Sequence, residues 1–197
     1  FNHVIATTAF ASKEFEEIGT GNLVNIPLGV DLETFSPKLR NDQLRRDLLK
    51  EQEVLFIHLG RMSPEKNPQN SILALIELRN RGVNARLVYV GMGPMFAKLK
   101  QMAAGHPVTF LGYIVDRNKL AEIMASADVS IAPGPIETFC LAALESLASG
   151  TPVVASATSA VGEFLMLDSK LPVGAVAENK SEAFADAIQR VLLLKDA

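Results

Sequence analysis

Apolar runs of strand length alternate with helix-length amphipathic segments along most of the chain. Continuous aliphatic runs occupy 54–60, 86–91, 108–112, 129–132 and 153–155. Such unbroken runs, without strict alternation, are what parallel strands covered on both faces look like. Between and after them, helical spacing predicts helices over 69–80, 95–104, 119–126, 141–149 and 182–194. Pro68 and Pro94 stand where a first helical turn accepts proline, and Gly82, Gly105 and Gly150 follow the last periodic residues. Strand and helix in strict succession predict an α/β fold: a Rossmann-like, doubly wound parallel sheet with helices on both faces. The first 50 residues differ, with short apolar runs at 3–7 and 23–26, a helix over 9–18, and a charged helix over 41–50 behind the loop LGVDLETFSP. The expected organisation is therefore a lead-in segment, 1–50, packed on a domain formed by 51–197.

In such sheets ligands sit beyond the carboxyl ends of the strands, so the loops that follow the strands carry the chemistry. After the first core strand, Gly60 permits a tight turn and Arg61 and Lys66 emerge from one short loop. Two fixed cations there can clamp a diphosphate, or Arg61 can pair locally with Glu65; the loop alone leaves both readings open. Gly91-Met92-Gly93-Pro94 fails the dinucleotide pattern G-x-G-x-x-G, because Phe96 takes the third glycine position. A tight strand-to-helix turn is the simpler reading, and it counts against an oxidoreductase. In the next loop, Tyr113, Ile114, Asp116 and Lys119 either flank a flat base or form a helix start capped by Asp116.

The fourth loop, from Ala132 to Leu141, has the strongest pattern. Glu137 lies within it and Glu145 follows eight positions on. A helix start near Thr138 would point the free N–H groups of Phe139, Cys140 and Leu141 outward as a phosphate cradle. Leu141, Leu144 and Ala148 then form the buried face, and Ala142, Glu145 and Ser149 look into the cleft.

Composition narrows the class. The 197 residues carry a net charge of −3 and are 48% hydrophobic, with Lys and Arg scattered along the chain, so no basic stripe suits a nucleic acid. The single cysteine, Cys140, excludes an internal disulfide and a cysteine-based zinc site, and it suits a reducing, cytoplasmic setting. No apolar run is long enough to span a membrane. The opening FNHVIATTAFASKEF lacks the pattern of a signal peptide and is expected to begin mid-protein.

Taken in order, these loops resemble glycosyltransferase family 4, retaining enzymes of the GT-B fold. The resemblance runs from Pro27, Gly29, Val30, Asp31 and Phe35, through Gly60, Arg61, Glu65, Lys66 and Asn67, to Glu137, Glu145 and the stretch 148–155. It implies that this chain is the C-terminal, donor-binding half of a GT-B enzyme, a hexosyltransferase whose substrate is a nucleotide-sugar. Arg61 and Lys66 match the pair that holds the donor diphosphate, Glu137 the glutamate facing the sugar, and Glu145 the one that binds the ribose hydroxyls. Gly60, Thr138, Phe139, Cys140 and Leu141 match the donor loops, and Ile114, Asp116 and Lys119 the base-binding segment. No cofactor and no catalytic metal is implied. The passage from Pro133 to Glu145 is similar to bacterial GDP-mannose-dependent α-mannosyltransferases acting on lipid or glycan acceptors. The family usually has glycine where Cys140 stands, so the side chain crowds the donor there, unless the backbone needs no positive φ. The N-terminal acceptor domain is the expected partner, and this chain without it is expected to transfer little or no sugar. As the enzyme of two such halves, the full-length protein would be cytoplasmic or peripheral on the inner membrane face. A transferase using UDP- or ADP-glucose, a phosphorylase-like enzyme of the same fold, and a non-catalytic nucleotide-sugar-binding module stand as the alternatives.

Overall fold

The computed structural model describes residues 2–165 and 173–195. A small unit comes first: β1 (Val4–Ala6), α1 (Ala9–Glu17) and β2 (Leu23–Asn25), with the two strands parallel. Thr8 starts α1 by accepting a hydrogen bond from the Ala11 N–H, as an N-cap threonine does. The loop 26–36 then turns on Asp31, whose carboxylate accepts from the N–H groups of Glu33 and Thr34 at 3.0 and 3.1 Å and from the Thr34 hydroxyl at 2.5 Å. That turn delivers Phe35 into the core, where it is fully buried. A 3-10 turn at Pro37–Leu39 leads into α2 (Asp42–Leu49), which Asn41 caps.

A larger parallel sheet follows: β3 (Val54–Leu59), β4 (Ala85–Val90), β5 (Val108–Phe110), β6 (Val129–Ala132), β7 (Val153–Ser156) and β8 (Gly174–Ala177). Its spatial order is β5-β4-β3-β6-β7-β8, with every pairing parallel. One cluster, on α3 (Gln69–Asn80), α4 (Phe96–Met102) and α8 (Ser181–Lys195), packs Ile72, Leu75, Leu78, Leu99, Phe184 and Ile188 against Phe56, Leu87, Tyr89 and Val154. Each such side chain, fully buried, contributes roughly 1.5–3 kcal/mol. A second cluster joins Phe35, Leu48 and Leu49 to Leu55, Ile57, Val88 and the face of α5 (Arg117–Ser126). A third packs Ala143 of α6 (Leu141–Ala148) and Val161 and Leu165 of α7 (Val161–Leu165) on β7. By packing, residues 35–49 thus belong with the larger sheet, within the segment read from sequence as lead-in.

The expected doubly wound α/β sheet is present. Most elements keep their places within one or two residues, as element ends commonly do. Helix α5 begins at Arg117, ahead of the expected 119, because Asp116 caps it through the N–H groups of Asn118 and Lys119. Strand β8 and helix α7 are additions to the sequence reading. The strand order reverses between β3 and β6, so the crevice that such sheets offer to ligands opens beyond Leu59 and Ala132.

Candidate functional site

Two connected hollows fill that crevice. The larger, of about 470 Å³, is lined by Leu59, Gly60, Arg61, Val90, Gly91, Met92, Tyr113, Ile114, Leu120, Met124, Ala142 and Glu145. The smaller, of about 200 Å³, is lined by His58, Leu59, Gly60, Arg61, Lys66, Ala132, Pro133, Gly134, Glu137, Cys140, Leu141 and Ala142. They share Leu59, Gly60, Arg61 and Ala142, so together they form one cleft with a mostly apolar lobe and a charged lobe. The apolar lobe is of a size that holds a small organic ligand.

Glycines make the cleft floor. At Gly91 the backbone has φ +131°, and a Cβ there would lie 2.0 Å from the Gly60 carbonyl oxygen. A Cβ on Gly93 would lie 2.4 Å from the Met62 carbonyl. The loops after β3, β4 and β5 are stitched together by Gly60 N–H to Val90 O, Met62 N–H to Met92 O and Gly91 N–H to Gly112 O, at 3.0, 3.1 and 2.8 Å. Gly91 and Gly93 therefore serve close backbone approach within the turn.

In the charged lobe, Lys66 Nζ donates to Glu137 Oε2 at 2.7 Å, and the Glu137 side chain is 10% exposed. Pro64–Lys66 form a 3-10 turn that brings Lys66 back across the cleft. Arg61 is exposed, lines both lobes and makes no ion pair among the described residues. Local pairing with Glu65 is not what forms: the Glu65 carboxylate accepts from the Ser63 hydroxyl at 2.5 Å. That bond, above all, holds the Glu65 carboxyl below its ordinary range.

At the other end, Glu145 is 7% exposed. Burial pushes its carboxyl above the usual range, opposed by the nearby Arg117. Arg117 lies 3.5 Å from Glu145 Oε1 and covers the Phe35 ring at 5.0 Å from its centroid. It went unremarked in the sequence because it stands between the cap Asp116 and Lys119 with no pattern of its own. His58 was also missed, a single histidine inside an apolar strand. It borders the charged lobe with its Nδ1 2.9 Å from the Ser71 hydroxyl. Burial, helped by the charge of Lys66, lowers its pKa to about 3, so it is neutral at physiological pH.

The fourth loop differs from expectation in one respect. Helix α6 starts at Leu141, and Cys140 caps it in the left-handed region, at φ +69° and ψ +75°. The first helical carbonyl, of Cys140, accepts from Ala143 and Leu144, so the N–H groups of Leu141 and Ala142 stand ahead of the helical ladder. The outward amides are therefore displaced from Phe139 and Cys140 towards Leu141 and Ala142. The backbone at Cys140 does take the positive φ that glycine serves, so its side chain is held there under strain. Burial, with the negative charge of Glu137, pushes its thiol up to about 12, leaving it un-ionised.

The site residues divide accordingly. Gly60, Arg61, Lys66, Ile114, Glu137, Cys140, Leu141 and Glu145 line the cleft. Asp116, Lys119, Thr138 and Phe139 are not among its lining residues. Asp116 caps α5, and Lys119 pairs with Glu122 at 2.9 Å. Thr138 points to solvent while its carbonyl accepts from Thr8, and Phe139 is buried beside Phe164, their centroids 5.8 Å apart. Leu141, expected on the buried face of α6, is 42% exposed; Ala143 and Ser146 take that face.

Known proteins share this sequence pattern and fold. The family described as glycosyl transferases group 1 matches residues 40–197. A GDP-mannose-dependent alpha-(1-6)-phosphatidylinositol dimannoside mannosyltransferase of Mycobacterium tuberculosis is 48% identical over 98% of this chain and 49% of its own length. A second M. tuberculosis protein, a GDP-mannose-dependent alpha-mannosyltransferase, is 39% identical over 64% of the chain and 32% of its own. The chain thus spans about half the length, or less, of these curated relatives. Among solved structures, Anabaena HepE in complex with UDP and glucose superposes with a TM-score of 0.82 at 20% identity, covering 99% of this chain and 55% of that one. Sucrose-phosphate synthase from Thermosynechococcus elongatus gives a TM-score of 0.75 at 25% identity, covering 96% and 49%. The chain belongs to the group 1 glycosyl transferases, has the fold of GT-B enzymes and is closely related to GDP-mannose-dependent mannosyltransferases.

Proposed function

We propose that the cleft binds a nucleotide-sugar donor, GDP-mannose, and that the full-length protein transfers its mannosyl group to a lipid or glycan acceptor held by a second domain. The observation that carries the reading is the two-lobed cleft at the strand switch point: an apolar lobe ending on buried Glu145 joins, at Arg61, a lobe holding Lys66 and Glu137. A flat base fits between Ile114, Tyr113 and the Gly91 turn, and Glu145 accepts hydrogen bonds from the ribose hydroxyls. The diphosphate lies at the junction, facing Arg61, Lys66 and the leading amides of α6, where positive charge and N–H donors converge. The sugar occupies the smaller lobe beside Glu137 and Cys140.

In transfer, the bond between the anomeric carbon and the diphosphate oxygen breaks while one forms to the acceptor hydroxyl oxygen, whose proton passes to the departing diphosphate. The leaving diphosphate gains negative charge, which Arg61 and Lys66 are placed to stabilise. The 48% identity to the GDP-mannose-dependent relative supports this choice of donor. Titration calorimetry with GDP, UDP, ADP, GDP-mannose and UDP-glucose tests the reading. Preference for GDP and GDP-mannose, weakened by Glu145→Ala and Lys66→Ala, is expected. Equal or absent binding of all five would overturn it.

A further inference from the structure

We propose that Thr8 is a positioning residue for donor binding, one that couples the β1–α1–β2 unit to Glu137 through the carbonyl of Thr138. This inference rests on the reading of the cleft given above, and concerns its sugar end.

The loop bearing Glu137 is fastened from outside by its carbonyl groups. Thr158 Oγ1 donates to the Pro135 carbonyl at 2.9 Å, and the Ala160 N–H to the Glu137 carbonyl, also at 2.9 Å. Both come from the segment between β7 and α7. The third fastening crosses to the other unit: Thr8 Oγ1 donates to the Thr138 carbonyl at 2.7 Å, bridging 130 positions of sequence. The Thr8 side chain does not hang free, since the residue is 4% exposed and its oxygen also accepts from the Ala11 N–H at 3.1 Å. A hydroxyl has one proton, and here the helix cap fixes the oxygen while the proton goes to Thr138.

A second contact holds the same helix end. Glu163 of α7 accepts from the N–H groups of Ala9 and Phe10 at 2.9 and 2.6 Å. A carboxylate at a helix N-terminus meets both unpaired donors and the positive end of the dipole. Helix α1 is thus held at one point to the donor loop and at another to α7, and any shift of α1 acts on the Thr138 carbonyl.

The local geometry gives that carbonyl leverage. Thr138 lies between Glu137, whose carboxylate meets Lys66 at 2.7 Å, and Cys140, at φ +69°. On the inner side there is little slack, because a Cβ on Gly134 would come within 3.1 Å of Glu137 Cγ. Loss of the Thr8 bond frees the Thr138–Phe139 peptide, one residue beyond the Glu137 carbonyl that Ala160 holds, and the carboxylate facing the sugar loses its aim. The apolar lobe shares none of these fastenings, so nucleoside binding is spared.

The test is calorimetric titration of the chain with GDP and with GDP-mannose, reading the ratio of the two Kd values as the sugar's contribution. Thr8→Val removes both hydrogen bonds in a similar volume, and the ratio is expected to fall about fivefold, a typical worth for one hydrogen bond, with the GDP affinity held within about twofold. Thr8→Ser restores the ratio. Thr8→Asp keeps an acceptor for Ala11 but has no proton to donate at neutral pH, so it separates the cap from the latch even if Thr8→Val folds poorly; the ratio is expected to fall in it too. Equal weakening of GDP and GDP-mannose together with a lowered Tm marks a structural role and overturns the proposal. An unchanged ratio in every Thr8 variant, with a lowered one in Glu137→Gln, overturns it while leaving the cleft reading intact. Failure of the unaltered chain to bind either nucleotide overturns both.

Discussion

Replacing Cys140 by glycine tests the backbone argument directly. At φ +69° an L side chain is held in the left-handed region, which costs roughly 1–2 kcal/mol that glycine does not incur. Glycine gives back about 0.4–1 kcal/mol of that through the greater freedom of the unfolded chain. It also forfeits the Cβ and sulfur of a half-buried side chain, worth about 1 kcal/mol when two groups at roughly 0.8 kcal/mol each are only partly removed from water. The three terms nearly cancel, so Cys140→Gly should fold with a stability within about 1 kcal/mol of the parent. The comparison with Cys140→Ala is sharper, because alanine loses the sulfur and keeps the strain. At an ordinary helix-forming φ, glycine is less stable than alanine by about 0.5–1 kcal/mol; here the sign should reverse, with glycine at least as stable. Cys140→Val should be the least stable of the three, since a β-branched residue is a true outlier at positive φ. Urea unfolding of all four proteins at one pH, with a common slope m, measures these differences. Glycine clearly below alanine would show that the loop does not impose the left-handed backbone, and the strain argument would fall. Since Cys140 lines the smaller lobe, Cys140→Gly is also expected to bind GDP-mannose at least as tightly as the parent.

Three other outcomes follow from the same geometry. The Glu145 carboxyl sits above its ordinary value of 4.5 through burial, so the folded state holds that proton more tightly than the unfolded one. Stability therefore falls as pH rises from the ordinary carboxyl value through the raised one and stays lower above it. Glu145→Gln should be more stable than the parent at pH 7, by a margin that shrinks near pH 4, while GDP affinity drops tenfold or more, as expected for about 1.5–3 kcal/mol in hydrogen bonds to a charged group; a variant less stable at pH 7 contradicts this. Lys66→Met strands a carboxylate whose side chain is 10% exposed, and should cost more than Glu137→Gln; the double variant should cost less than the sum, by about 0.5–3 kcal/mol in thermal or urea unfolding. Gly91→Ala, whose Cβ would meet the Gly60 carbonyl at 2.0 Å, should lose more than about 4 kcal/mol, whereas Gly105→Ala, at φ +80° with open space around it, should lose about 1 kcal/mol.

The sheet was legible because its strands are unbroken aliphatic runs and its helices carry proline and glycine at their ends. Strand β8 was not, since Gly174, Ala175, Val176 and Ala177 are too small to stand out, and smallness is what the place requires: a Cβ on Gly174 would lie 2.1 Å from the Val153 carbonyl. In the site, the residues that announced themselves were those in loops at strand ends, such as Lys66 and Glu137. The start of α6 was misplaced because cysteine gives no sign of a left-handed backbone; the hydrogen bonds around the loop impose it. Phe139 read as a cleft residue by position, yet its ring packs beside Phe164, a partner that belongs to a helix the sequence did not reveal. His58 and Arg117 take their meaning from Ser71, Glu145 and Phe35, which only folding brings to them.

The pairing of charges within the cleft explains how it can hold two acidic groups next to the place proposed for a diphosphate. Each carboxylate has a cation of its own: Lys66 meets Glu137 at 2.7 Å and Arg117 meets Glu145 at 3.5 Å. Bringing in a diphosphate asks Lys66 to turn part of its charge away from Glu137, and ribose hydroxyls compete with Arg117 for Glu145. Those exchanges offset much of the Coulomb gain, since breaking a desolvated pair has its own cost. Arg61, exposed and without an ion pair among the described residues, has less of such an exchange to make, its charge being only a minor influence on Glu65. On the function proposed above, the net electrostatic attraction for a phosphate would fall chiefly on Arg61, and that of Lys66 would count most where a sugar engages Glu137. This division of labour makes Arg61 the cation whose charge should set the salt dependence of nucleotide binding, and Lys66 the one whose loss should weigh more on GDP-mannose than on GDP.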